Sequence, residues 1–278
     1  MTDELRGLQT VVVGAGVAGT SAAHVLLRLG ARVLVTDERD GSALQDAVAA
    51  LEAAGASVHA GGHDPRDLDG AALVVVSPGV RPDGLVPSWA RERGVPVWGE
   101  LELGARIARA PYIGVTGTNG KTTATGLIAS CLRAGGLDAV ACGNIGHPFP
   151  QAAADGHSAL VVEASSFQLA TQSSFHPVVS VLLNVAEDHL DWHGSGAAYR
   201  DAKSKIYAAQ GAPDTHVGNR DDPQAAAISE GAPCPVVWIR GGRPQEGEVG
   251  YVGEDLVARL EGASESLGVI HRDGAGYR

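Results

Sequence analysis

Short apolar blocks recur along the chain, each ending at glycine or a polar residue and leading into a stretch with helical spacing. Leu8–Val13 reads as a buried strand, Val17–Leu29 as a helix, and Arg32–Thr36 as a second strand. Ser42–Ala54 has helical spacing, and Ala72–Val76 is again strand-like. Gly94–Glu100 and Leu101–Ala108 read as a last strand with a connecting helix. A second series opens at Pro111, with strand-like runs at 112–115, Ser158–Val162 and Val178–Leu183 and a helix over Tyr199–Tyr207. Strands alternating with helices predict an α/β fold with mainly parallel sheets. The restart near residues 108–111 predicts two domains, 1–109 and 110–278. The first is Rossmann-like and the second is a P-loop-type nucleotide-binding domain.

Two of the turns carry chemistry. Gly14-Ala15-Gly16-Val17-Ala18-Gly19 fits GxGxxG between a strand and a helix. There the glycines allow a tight turn and bring backbone N–H groups to a diphosphate at a helix N-terminus. Asp37 closes the next strand, where a carboxylate can accept from a ribose or a base. Taken alone, this loop suits an NAD-dependent dehydrogenase or a glycine turn serving only packing.

The second turn is Gly117-Thr118-Asn119-Gly120-Lys121-Thr122-Thr123. It departs from the strict GxxxxGK[ST] spacing, because Val115 stands where the first glycine falls. The chemistry survives the departure. Gly117 and Gly120 free the backbone to bind an anion, Lys121 can reach terminal phosphates, and the Thr122 hydroxyl can bind Mg²⁺.

Acidic residues and histidine follow at strand ends. Glu163 stands past Leu160–Val162, in position to hold Mg²⁺ or to cap a helix. Asn184-Val185-Ala186-Glu187-Asp188-His189-Leu190-Asp191 follows Val178–Leu183, and oxygen ligands with one imidazole suit Mg²⁺ or Mn²⁺. Spacing alone makes Lys203 and Lys205 ordinary surface lysines and gives His193 no role.

Composition narrows the classes. With 32 acidic against 21 basic side chains the net charge is -11, which argues against a general nucleic-acid surface. The three cysteines, Cys131, Cys142 and Cys234, form no CxxC pair and read as reduced thiols of a cytoplasmic protein. The polar, acidic start MTDELRGLQT reads as no signal peptide, and no apolar run has the length of a membrane span.

Taken together, GTNGKTT at 117–123, GNIGHP at 143–148, EASSFQL at 163–169, NVAEDHLD at 184–191, AKSKIY at 202–207 and NRDD at 219–222 resemble the Mur ligase family, in family order. The SSFQL segment favours the D-glutamate-adding branch. The resemblance implies an ATP-dependent amide ligase with two Mg²⁺ ions, joining D-glutamate to UDP-N-acetylmuramoyl-L-alanine through an acyl phosphate. It places Gly117, Thr118, Asn119, Gly120, Lys121, Thr122 and Thr123 around ATP. It assigns catalysis to Lys121, Glu163, His189 and Lys203, and the metals to Thr122, Glu163, His189 and a carbamylated Lys203. It assigns the UDP-sugar to Val17, Ala18, Asp37, Arg39, Ser77, Gly79, Asn144 and His189. The reading of Lys203 as a surface residue is reversed by this resemblance alone. The family continues into a C-terminal domain not found here, so the central domain is expected to be incomplete and ligation by this chain weak. A non-catalytic nucleotide-sugar-binding protein is the other reading consistent with that expectation.

Overall fold

A computed structural model describes residues 5–186, 188–260 and 263–269; residues 1–4, Glu187, 261–262 and 270–278 lie outside the described residues. The first unit alternates β1 (Gln9–Val13), α1 (Val17–Arg28), β2 (Arg32–Asp37), α2 (Gln45–Ala53), β3 (Ser57–Ala60), β4 (Ala71–Val76), α3 (Leu85–Glu92) and β5 (Val97–Gly99). Its five strands are all parallel, in the order β3-β2-β1-β4-β5. Strands β1, β2 and β4 are largely buried, which explains their continuous apolar runs. Ala22, Ala23, Val25 and Leu26 of α1 pack on Val12, Val33, Val35, Leu73 and Val75. Strand β3 was not predicted, because Ser-Val-His-Ala is only partly buried and carries a weak apolar signal.

Helix α4 (Glu100–Ile107) follows β5 directly and links the two units. The second unit contains β6 (Tyr112–Thr116), α5 (Lys121–Ala134), β7 (Ala139–Gly143), α6 (Phe149–Asp155), β8 (Ala159–Glu163), α7 (Ser166–Ala170) and β9 (Val179–Leu182). It continues with α8 (Leu190–His193), α9 (Gly196–Ser204), β10 (Thr215–Asn219), α10 (Pro223–Ser229) and β11 (Val236–Ile239). Strands β12 (Glu248–Val252), β13 (Asp255–Leu260) and β14 (Ala263–Val269) complete a nine-stranded sheet. Its order is β14-β13-β12-β11-β10-β9-β6-β8-β7, parallel from β7 across to β12 and antiparallel through β12, β13 and β14. The predicted helix over Tyr199–Tyr207 is instead α9, starting at Gly196 and capped by the Ser195 hydroxyl, with a 3₁₀ turn over Lys205–Tyr207.

The two units share a packed seam. Tyr112, Phe149 and Phe175 form an aromatic trio with ring centroids 5.1–6.1 Å apart, beside Leu101 of α4. Gly104 lets α4 lie against the Phe149 ring, since a Cβ there would overlap it. Among the described residues no helix is long and apolar enough to cross a membrane.

Candidate active site

The C-terminal ends of the strands bring the second motif set together. Strand β6 delivers Gly117–Gly120, and α5 begins at Lys121 with Gly120 at φ 80°, a left-handed conformation that suits glycine. The first-turn N–H groups of α5 have no intrahelical acceptor, an arrangement that suits an anion. Gly117 is confined by Leu183 and Asn184, with a Cβ there falling 3.0 Å from the Leu183 Cβ. Asn184 clasps the loop. Its side-chain oxygen accepts from Thr118 N at 3.1 Å and Asn119 N at 2.8 Å, and its amide donates to the Asn119 carbonyl at 3.0 Å.

Two ammonium groups converge on this loop. Lys121 Nζ donates to the carbonyls of Gly117 (3.1 Å) and Thr118 (2.9 Å), and Lys203 Nζ donates to the same Gly117 carbonyl at 2.8 Å. Lys203 is 1% exposed, so its reading as a surface lysine is overturned. Residues i and i+4 share a helix face, and Tyr199 and Lys203 both turn inward on α9. Lys203 Nζ lies 4.7 Å from the Tyr199 ring centroid, and the Tyr199 hydroxyl is 2.9 Å from Thr118 Oγ1. Burial, reinforced by the Lys121 charge, lowers the Lys203 pKa to about 7. Tyr199 was missed in the sequence, where its spacing from Lys203 was the only signal.

Glu163, 2% exposed at the end of β8, joins two elements. It accepts from Thr122 Oγ1 at 2.8 Å and from Asn144 Nδ2 at 3.0 Å. Gly143 (φ 99°) makes this possible, because a Cβ there would overlap the Glu163 carbonyl. A hydroxyl and a carboxylate on one axis are hard oxygen donors suited to Mg²⁺. Among the described residues no group of three or more His, Cys, Asp or Glu could hold a metal alone, so phosphate oxygens would have to complete the shell. The Lys203 amine, as it stands, is a donor and not an oxygen ligand.

His189 stands apart. It is half-exposed, has φ 51°, and pairs with Asp188 at 3.4 Å. No described hydrogen bond joins it to Glu163, Thr122 or Lys203; its ring sits on Phe167, centroids 4.7 Å apart. His193, given no role from sequence, lies 3.0 Å by Nε2 from Ser166 Oγ and stacks on the other side of this cluster against Phe167.

The first glycine loop builds a different cavity, of about 440 Å³, lined by Gly14, Asp37, Arg39, His63, Gly79 and Arg81 among others. Gly14 and Gly19 are required, because a Cβ on Gly19 would overlap the Gly14 carbonyl. Val17 is 75% exposed beside this loop, and the buried Ser77 hydroxyl, without a hydrogen-bond partner among the described residues, faces both glycines. Asp37 is more committed than its position at a strand end implied. It accepts from Ala15 N (2.7 Å) and Arg39 N (2.9 Å) and forms a two-pronged pair with the Arg39 guanidinium (2.9 and 2.7 Å). The Arg39 hydrogen bonds hold its pKa down at about 2. A further cavity of about 380 Å³ runs between the units, past Arg81, Trp192, His193 and Lys205. Another cavity, about 620 Å³, lies between α1 and α6 and contains none of the motif residues.

Comparison with known proteins fits this geometry. Residues 8–99 match the Mur ligase MurD-like N-terminal domain, and residues 115–247 match the Mur ligase middle domain. The chain belongs to the Mur ligase family. The UDP-N-acetylmuramoylalanine–D-glutamate ligase of Frankia casuarinae is 46% identical over 230 residues, covering 82% of this chain and 48% of that protein. The enzyme of the same name from Nocardia farcinica is 41% identical over 269 residues, 93% of this chain and 54% of that protein. The chain thus spans about half the length of the curated relatives it matches. In fold it is similar to the UDP-N-acetylmuramate:L-alanyl-gamma-D-glutamyl-meso-diaminopimelate ligase of Neisseria meningitides, with a TM-score of 0.63, 20% identity, and coverage of 93% of this chain and 86% of that one. The middle-domain match extends the Mur likeness to residue 247, beyond the NRDD stretch where the sequence motifs end.

Proposed function

We propose that this Mur ligase chain carries the UDP-sugar and ATP sites of an amide ligase that joins D-glutamate to UDP-N-acetylmuramoyl-L-alanine. In this reading residues 1–109 hold the UDP moiety and residues 110–278 hold ATP. The observation that carries it is the pair Lys121 and Lys203 meeting at the Gly117 carbonyl, beside a Thr122–Glu163 oxygen pair. A carboxylate attacking a triphosphate needs positive charge where the two anions meet. Lys121 exchanges its two carbonyls for the β/γ-phosphates, and the α5 N-terminus with Gly117–Thr123 cradles them. Thr122 and Glu163 would hold a first Mg²⁺; a second would take Lys203 as its carbamate, formed when the neutral amine adds to CO2 and loses a proton, together with His189 turned towards it from its place on Phe167. Mg²⁺ supplies charge neutralisation between the nucleotide and the substrate carboxylate. Asn144 and His189 orient that carboxylate. Val17, Ala18, Asp37, Arg39, Ser77 and Gly79 surround the UDP, with Asp37 acting by fixing the loop and Arg39. The γ-phosphoryl passes to a carboxylate oxygen with loss of ADP; the D-glutamate amine then attacks the acyl carbon and phosphate leaves.

The test uses the 278-residue chain. Mg-ATP and UDP-N-acetylmuramoyl-L-alanine should each raise its melting temperature and NAD should not, since a ligand that binds only the folded state stabilises by mass action. Stabilisation by NAD without the UDP-sugar would return the Gly14–Gly19 loop to a dehydrogenase reading.

A further inference from the structure

Helix α4 carries two buried carboxylates that reach into the second unit. Glu102 accepts from the backbone N–H groups and hydroxyls of Ser173 and Ser174, all at 2.8–3.0 Å, and from Arg106 Nε at 2.6 Å. Glu100, 3% exposed, has no cation partner among the described residues. It accepts from Phe149 N at 3.1 Å and from Gln168 Nε2 at 2.6 Å. Burying a carboxylate without a counter-charge is costly, and here burial pushes the Glu100 pKa up. A well-packed apolar residue would serve a purely structural contact more cheaply.

Gln168 shows what the cost maintains. Its Oε1 accepts from Ser165 N (2.9 Å) and Ser165 Oγ (3.0 Å), which fixes the amide so that Nε2 must face Glu100. The Ser165–Gln168 turn follows Glu163 by two residues. It presents Ser166 to His193 and Phe167 to His189. One continuous chain of hydrogen bonds and ring contacts therefore runs from the interdomain helix to the imidazoles at the cleft.

We infer that Glu100 is a positioning residue for the cleft between the two sheets. Through Gln168 it fixes the turn that seats His189 and His193, and with Glu102 it sets the first sheet's orientation over that turn. The inference rests on the proposed function only in that a substrate spans the cleft from the Gly14–Gly19 loop to Glu163 and His189.

The experiment is a charge swap read against two ligands. UMP engages the first sheet alone; UDP-N-acetylmuramoyl-L-alanine spans the cleft. Glu100→Gln places two amide N–H groups opposite each other and should weaken the spanning ligand about tenfold or more, with UMP affinity within about twofold. Glu100→Gln combined with Gln168→Glu restores every hydrogen bond in the chain, since the new amide donates to the new carboxylate and Ser165 still finds an acceptor. The double variant should recover affinity to within about threefold of the wild type. Should Glu100→Gln resist purification, Gln168→Leu breaks the same link from the other side and is read the same way. Unchanged binding of both ligands, equal weakening of both, or failure of the swap to rescue would each overturn the inference. If the wild type fails to bind the spanning ligand, it is the proposed function that falls.

Discussion

At the Gly14–Gly19 loop the nearest carboxylate turns inward: Asp37 grips Ala15 N and the Arg39 guanidinium. At the Gly117–Thr123 loop the nearest carboxylate, Glu163, faces a threonine hydroxyl and an asparagine amide, and two lysines crowd a single carbonyl. Both loops follow a strand, use glycine to bring backbone close and open a helix. The first arrives with its charges already paired, which suits a ligand held as a fixed diphosphate. The second concentrates cation beside hard oxygen donors, which suits a group whose charge moves. A glycine motif thus reports that phosphate can approach, and the surrounding side chains determine whether it reacts.

The sharpest way to break this comparison is Lys121→Ala. Mg-ATP binding at the second loop should weaken about ten- to 150-fold, because a charge-assisted contact of about 1.5–3 kcal/mol disappears. UMP binding at the first loop should be unchanged. Calorimetric titration of both ligands decides it, and equal Mg-ATP affinities in variant and wild type would remove Lys121 from the site.

Gly19→Ala makes the reverse cut. The added Cβ overlaps the Gly14 carbonyl, and overpacking of this kind costs about 1–3 kcal/mol. UMP affinity should collapse while Mg-ATP affinity holds, measured at a temperature where the variant remains folded. Retained UMP binding would place the nucleotide phosphate elsewhere.

How much of this contrast was legible in the sequence differs between the loops. The strand–glycine–helix order was visible at both, because Val-rich runs and glycine spacing follow from backbone geometry. The side-chain environment was not. Lys203 sits in AKSK beside a second lysine, and only the packing of α9 against the P-loop decides which of the two is buried. Likewise nothing in the sequence marked Glu100, at the end of a strand-like run, or Glu102, in the connecting helix, as buried, because the segment that buries them lies about 70 residues away in the chain. Strands β10–β14 were unread for a related reason: the parallel strands β10 and β11 gain their burial from sheet neighbours, and the alternation in β12 and β13 is interrupted by glycine and charge.

Lys203 supplies the third test, through pH. Its folded pKa of about 7 lies below the ordinary lysine value of 10.5. The unfolded chain therefore binds the extra proton between those values, and stability rises as pH climbs from about 7 towards 10.5. From pH 7 to 9 this contribution should amount to about 1–3 kcal/mol. Lys203→Met fills similar space without the charge and should remove that part of the slope in denaturant titrations. A slope unchanged in the variant would show that the amine is not held in its neutral form.

The smallest effect belongs to the first loop and sharpens the contrast from its acid side. Asp37 is depressed to about 2, against an ordinary value of 3.8, chiefly by its hydrogen bonds with Arg39. A depressed carboxylate contributes stability that is present above about pH 4 and lost as pH falls through its folded value. Arg39→Ala removes the main cause and leaves the backbone N–H groups of Ala15 and residue 39 as donors, so the folded pKa moves back up. The acid unfolding midpoint should rise, by less than about one pH unit, because Arg39 is 53% exposed and solvent screens most of the pair. Stability near pH 7 should hardly change. The same titration on Lys121→Ala should leave the acid midpoint where it is, since among the described residues Lys121 donates to two backbone carbonyls and pairs with no carboxylate. Equal acid shifts in the two variants would mean that the paired and unpaired character assigned to the two loops is wrong.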